Sequence, residues 1–167
     1  MVSALGPRPS HALFVSVAPL GQCPLPSEVS TTLNIAADEA YEIFADPMEI
    51  PRWLPMLQTA RTLTRCDEGL ARRVAFTRKL DRGSIGYTLE YRYDPAKLSV
   101  AWSTPEGSNI VLTGEAQFIP LSATACLMLY RLIMDLPIVD KLTRRELETH
   151  PASHVVAEFR EYVRWRC

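Results

Sequence analysis

Two arginines and a run of tyrosines are the residues of this 167-residue chain best placed to do chemistry. Arg72 and Arg78 keep step with Val74 and Phe76, so in a strand, where side chains two apart share a face, all four point the same way. In the next stretch Tyr87 and Tyr91 flank Leu89, with Ile85 and Tyr93 in phase, while Ser84, Thr88, Glu90 and Arg92 take the other face. A guanidinium facing an apolar hollow can pair with a carboxylate, an enolate or a phenolate, and a buried phenol can pass a proton or bond a ligand oxygen. Arg72, Arg78, Tyr87 and Tyr91 are accordingly the candidate catalytic residues if the protein is an enzyme.

Other chemistries find less support. His150 and His154 are spaced i, i+4, and Glu146 and Glu158 extend the interval, which would align four metal ligands on one helix face. Pro151 interrupts that alignment, because proline suits only the first turn of a helix, and no H-E-x-x-H accompanies it. No metal site and no organic cofactor are expected. His11 stands far away near the N-terminus, so a Ser-His-Asp or Cys-His arrangement has no base to draw on. Gly83 and Gly86 have G-x-x-G spacing near Arg78, Lys79 and Arg82, but a hairpin turn between two alternating strands accounts for them better than an RNA-clamping loop.

The elements that position these residues follow from hydrophobic period and turn signals. Val29, Thr31, Leu33 and Ile35 alternate as a half-buried strand. Asp38 and Glu39 open a short helix with Ala40, Tyr41, Ile43 and Phe44 on its apolar side, and Asp46-Pro47 closes it. A second helical turn covers 48–54 among Pro47, Pro51 and Pro55. Six strands are predicted next, at 57–65, 70–80, 84–93, 97–104, 109–119 and 123–134, and their short connections make neighbours antiparallel. A long helix over 151–166 then carries Ala152, Val155, Val156, Phe159, Tyr162 and Val163 on one stripe. Alternation also turns Val100 and Trp102, Leu112, Gly114 and Phe118, and Met128 and Tyr130 inward. A bent antiparallel sheet with one long helix available buries the helix stripe in its concave face, which gives a single α+β domain over 28–167.

Composition narrows the partners. Apolar residues at 47 % and charged residues at 22 % exclude disorder across the whole chain. The balance of 18 Lys+Arg against 19 Asp+Glu lacks the basic excess that nucleic acid or an anionic membrane surface calls for, so neither is an expected partner. Residues 1–27, with Pro7, Pro9, Pro19, Pro24 and Pro26 and one charge, Arg8, read as a flexible Pro-rich tail. Its apolar stretch at 12–18 is cut by Pro19 and lacks the flanks of a secretory leader, and no run approaches the length of a membrane span. Four scattered cysteines without a C-x-x-C pair suit thiols in a reducing compartment, and the expected location is cytoplasmic. The last predicted strand is apolar on both sides; Leu127, Leu129 and Ile133 face outward and call for a cover, from residues 12–18, a second copy of the chain or another protein.

Several stretches carry a resemblance in their order along the chain. They are IAADEAYEIF at 35–44, ADPMEIPRWLP at 45–55, RVAF at 73–76, YTLEY at 87–91, VAW at 100–102 and GEAQFIP at 114–120. Together they resemble the START-like, or SRPBCC, superfamily, and more narrowly its polyketide cyclase/dehydrase and coenzyme Q-binding branch. One departure is the turn before the last strand, where the usual Gly-Thr is replaced by LSAT at 121–124. The resemblance implies the helix-grip fold: a strongly bent antiparallel sheet of about seven strands around a long C-terminal helix, with two short helices after the first strand. It also implies a cavity between sheet and helix for a lipid, quinone or polyketide-like molecule, with Trp53 beneath its entrance. With strand parity, the expected ligand-binding residues are Trp53, Val74, Phe76, Tyr87, Leu89 and Tyr91, joined by Trp102, Leu112, Phe118, Met128, Tyr130 and Phe159. Such a domain binds a hydrophobic small molecule; the alternatives are an aromatase/cyclase-type enzyme, or a ligand carrier acting on a protein partner through the apolar last strand.

Overall fold

Alternating sequence becomes one seven-stranded antiparallel sheet in the computed structural model, which describes residues 26–137, 139–148 and 152–166. Strand β1 (Ser27–Leu33) leads into two short helices, α1 (Ala37–Phe44) and α2 (Ile50–Trp53). The strands β2 (Leu57–Arg65), β3 (Ala71–Leu80), β4 (Gly83–Asp94), β5 (Ser99–Ser103), β6 (Val111–Ser122) and β7 (Ala125–Asp135) follow as a meander. The order across the sheet is β1-β7-β6-β5-β4-β3-β2, so the first strand closes onto the last, with Val29 opposite Tyr130 and Leu33 opposite Cys126. The chain ends in α3 (Lys141–Glu148) and α4 (Ala152–Arg164).

Three expectations about elements need adjustment. Residues 1–25 of the expected tail, with the apolar stretch at 12–18, lie outside the described residues, and Ser27 already belongs to β1. Strand β1 stops at Leu33, and Ile35 is buried in the connection to α1. Helix α3 is the larger departure, because six strands were expected to run directly into one long helix. It offers no apolar stripe to read, only Leu142 and Leu147, of which Leu147 alone is buried. The signal present was Asp140, whose Oδ1 accepts hydrogen bonds from the backbone N–H groups of Leu142 and Thr143 at 3.0 and 3.1 Å, as an N-cap does.

The core lies between the concave side of the sheet and the helices. Helix α4 packs over β1 and β7, α1 over β5, β6 and β7, and α2 over β2 and α4. Phe44, at the end of α1, meets rings from every layer: Trp53 at 5.8 Å between centroids, Trp102 at 5.8 Å, Phe118 at 5.7 Å and Phe159 at 5.2 Å. Helix α4 is also tied to the segment before α2 by Tyr162, whose hydroxyl donates to a Glu49 carboxylate oxygen at 3.1 Å. A second, smaller apolar cluster of Ile110, Leu136 and Leu147 seats α3 at one end of the sheet, against Ile85, Tyr87 and Met134.

Candidate functional site

A cavity of about 90 Å³ remains between β3–β7 and the helices. Phe76, Arg78, Tyr87, Leu89 and Tyr91 supply its β3 and β4 wall, and Trp102, Leu112, Tyr130, Leu132 and Met134 the wall from β5 to β7. Phe44, Ile50, Trp53 and Leu54 from α1 and α2, Met56 and Leu57 beyond them, and Val155 of α4 close the other side. Of the twelve residues expected to contact a ligand, Trp53, Phe76, Tyr87, Leu89, Tyr91, Trp102, Leu112 and Tyr130 line it. Val74, Phe118, Met128 and Phe159 do not; all four are fully buried in the packed core beside it. Leu132 and Met134, outside the expected ligand set, share the parity of Met128 and Tyr130, and Val155 lies on the predicted stripe of α4.

The arginine pair separates. Arg78 stands opposite Leu57 and Ile85 on the inner face and is 7 % exposed. Arg72 is exposed, which removes it from the candidate catalytic residues. The physical reason is a break in register: Val74 opposes Thr62, Arg73 opposes Thr64 and Ala71 opposes Arg65, so at this break Leu63 is extra on β2 and Arg72 extra on β3. Past the bulge the parity flips, and Ala71 takes the buried place.

Polar atoms in this cavity are few. Arg78 is the one charged side chain among the described residues that line it, and its Nε and Nη2 are buried without a hydrogen-bond partner. Trp53 Nε1 is likewise buried without a partner. Burial lowers the affinity of Arg78 for its proton, opposed by the neighbouring Tyr87 and Glu146, but a guanidinium is basic enough to stay charged at neutral pH. Burial also raises the tyrosine pKa values. Tyr87 is pushed up to about 12, with Arg78 pulling the other way, and burial raises Tyr91 and Tyr130 as well, each further raised by Tyr87. All three are therefore neutral at ordinary pH. Tyr93, on the same face of β4, instead stacks on Tyr91 at 6.1 Å and donates its hydroxyl to the Ala71 carbonyl at 2.6 Å, so its phenol is already used.

Shape at the β5–β6 side depends on one glycine. Gly114 lies opposite Trp102 in the ladder, and a β-carbon there would fall inside the indole, 2.7 Å from Nε1 and closer to Cε2 and Cζ2. The absent side chain lets Trp102 lie back on β6 and leaves space in front of it.

The His and Glu spacing set aside above falls only partly among the described residues. His150 and Pro151 lie outside the described residues, His154 pairs with Glu158 at 3.7 Å on an accessible face of α4, and no group of three or more metal-binding side chains occurs among the described residues. On the convex side Leu129 is 37 % exposed and Leu127 and Ile133 are half-buried, beside the Arg131–Glu28 ion pair at 3.3 Å. No helix among the described residues is long and apolar enough to cross a membrane.

Two consequences can be measured. Gly114→Ala is expected to push Trp102 toward the cavity and destabilise the fold by about 1–3 kcal/mol, with a shift in tryptophan emission; unchanged emission and stability would show that the indole has room to spare. Alkaline pH acts through the phenols. Below about pH 10 folded and unfolded forms are both protonated, and above it the unfolded chain loses protons first while folded Tyr87 holds its own to about 12, so stability falls as pH rises. Thermal midpoints are expected to be level up to about pH 9 and to decline above about pH 10, less steeply in Tyr87→Phe; a level midpoint at about pH 11 contradicts this.

No family model and no curated protein matches the sequence. Solved structures do match the fold. A START superfamily protein from Mycobacterium smegmatis superposes with a TM-score of 0.71 at 15 % identity, over 85 % of this chain and 99 % of that one. The di-domain ARO/CYC protein BexL gives 0.66 at 17 % identity, over 84 % of this chain and 46 % of its own length. The Zhui aromatase/cyclase from a Streptomyces species gives 0.59 at 15 % identity, over 83 % and 95 %. With its open, curved seven-stranded sheet, its pair of short helices after the first strand and its C-terminal helix, the chain has the α+β helix-grip fold of the START superfamily.

Proposed function

We propose that the protein binds a hydrophobic small molecule in the cavity between the sheet and α4. The observation that carries this reading is the cavity wall itself, which brings seven aromatic side chains around a space that the core leaves unfilled. Interiors normally pack to the density of organic crystals, so a hollow lined by large flat groups is a costly feature unless something occupies it. Lipid, quinone and polyketide-like ligands remain within this reading. Pockets for molecules of that size span about 300–1,000 Å³, so one of them would require side chains of the wall to move aside. Native mass spectrometry and solvent extraction of the purified full chain test it: a co-purifying apolar compound is the expected result, and a protein that arrives empty and takes up no apolar probe contradicts it.

A cyclase reading is favoured by one specific arrangement, a charged Arg78 beside a neutral Tyr87 in the same cavity. In such a reaction the α-carbon proton would pass to solvent, the guanidinium would stabilise the enolate oxygen, and Tyr87 or Tyr91 would give a proton to the alkoxide formed on ring closure and regain one from solvent. Two of the matching folds are named as an aromatase/cyclase and an ARO/CYC protein. The expected outcome is turnover of poly-β-ketone analogues by the wild type that falls about 100-fold or more in Arg78→Ala or Tyr87→Phe. Turnover at background in all three proteins removes the enzyme reading and leaves the binding one.

A further inference from the structure

Resting on the small-molecule reading above, we propose that the ligand is a small organic carboxylate, with a body of one ring or a short branched chain and its charged end paired to Arg78.

The polarity of the cavity supplies the first argument. Every buried polar side-chain atom of the described lining residues that lacks a hydrogen-bond partner is a donor: Nε and Nη2 of Arg78 and Nε1 of Trp53. A buried donor left unpaired costs about 1–3 kcal/mol, more when it is charged, so the site is complementary to a molecule that brings acceptors. The wall offers Arg78 no carboxylate of its own. Glu146, whose charge reaches it electrostatically, sits on α3 and accepts the Asp81 backbone N–H at 2.6 Å instead of bonding Nε or Nη2. Two adjacent guanidinium nitrogens left unpaired match the two oxygens of a carboxylate in the fork-to-fork manner that arginine favours.

Size supplies the second argument. An apolar cavity of about 150 Å³ takes up benzene, and the space here is about 90 Å³, so a single ring enters with modest yielding of the wall while a fused-ring or long-chain body does not. Phe76, Tyr87, Tyr91 and Trp102 offer faces and edges to a flat group of that size. Trp53 Nε1 remains for an acceptor elsewhere on the molecule, such as a hydroxyl or carbonyl oxygen.

The test uses the full chain and four probes: benzoate, its neutral counterpart benzamide, toluene and palmitate, followed by heteronuclear NMR titration. Benzoate is expected to bind about 10- to 100-fold more tightly than benzamide, the range of a charge-assisted hydrogen bond, and Arg78→Met is expected to erase that ratio. Equal binding of benzoate and benzamide to the wild type, a preference that survives in Arg78→Met, or palmitate displacing benzoate at lower concentration overturns the proposal. The acid-to-amide comparison uses the wild type alone, so it stands even where the variant fails to fold. Toluene separates the two levels of the argument: if it shifts cavity resonances while benzoate shows no advantage, the cavity binds small molecules and the carboxylate assignment is wrong; if no probe shifts them, the small-molecule reading falls as well.

Discussion

Phe44 is held between rings of β5, β6, α2 and α4, and most of the architecture depends on that shared contact. Helix α1 has eight residues and α2 four, lengths at which isolated helices do not persist in water. They exist because the sheet and α4 give their apolar sides somewhere to go. In return the two helices fill the part of the concave surface that α4 does not cover. The cavity is the remainder of this arrangement, so its boundary is set by the core: Phe44 and Trp53 belong to both.

The distribution of polarity is as informative as the shape. Outward faces of the sheet carry charges paired across strands, such as Arg73 with Glu90 and Arg131 with Glu28. Inside, Tyr93 and Tyr162 end on protein acceptors, whereas Arg78 and Trp53 hold donors toward none. Replacing an unpaired buried guanidinium with an apolar side chain is often neutral or stabilising, since a buried charge rarely adds stability. Its presence in β3, with Nε and Nη2 unpaired, is a cost to folding.

How much of this was legible in the sequence depends on which physical signal each part carries. Period-2 alternation over 84–93 and 110–118, punctuated by turn residues, was enough for the strands and for the inward face, because side-chain direction in a strand is fixed by geometry. Depth along a curved sheet has no such signal. Val74 and Phe118 share a face with Tyr87 and Trp102 yet lie in solid core, a distinction made by the curvature and by which helix lies overhead. Arg72 was misplaced because one extra residue on each of two paired strands leaves the local pattern intact while inverting its meaning. Helix α3, rich in charge and anchored by Leu147 alone, was hidden for the opposite reason: a single buried side chain makes no period.

The bulges between β2 and β3 also matter for how copies of this chain meet one another. Strand β2 is an outer edge of the sheet, with a row of backbone groups turned away from β3. Such an edge invites another strand to add itself, the first step toward aggregated, fibre-like stacking. Here the register shifts between Leu57 and Thr59, between Thr62 and Thr64 and between Thr64 and Arg65, and the exposed charges of Arg61 and Arg65 stand along the same rim. An incoming strand could keep step across only a few residues before losing it. The misfit that expels Arg72 from the cavity thus also blunts this edge against strand addition.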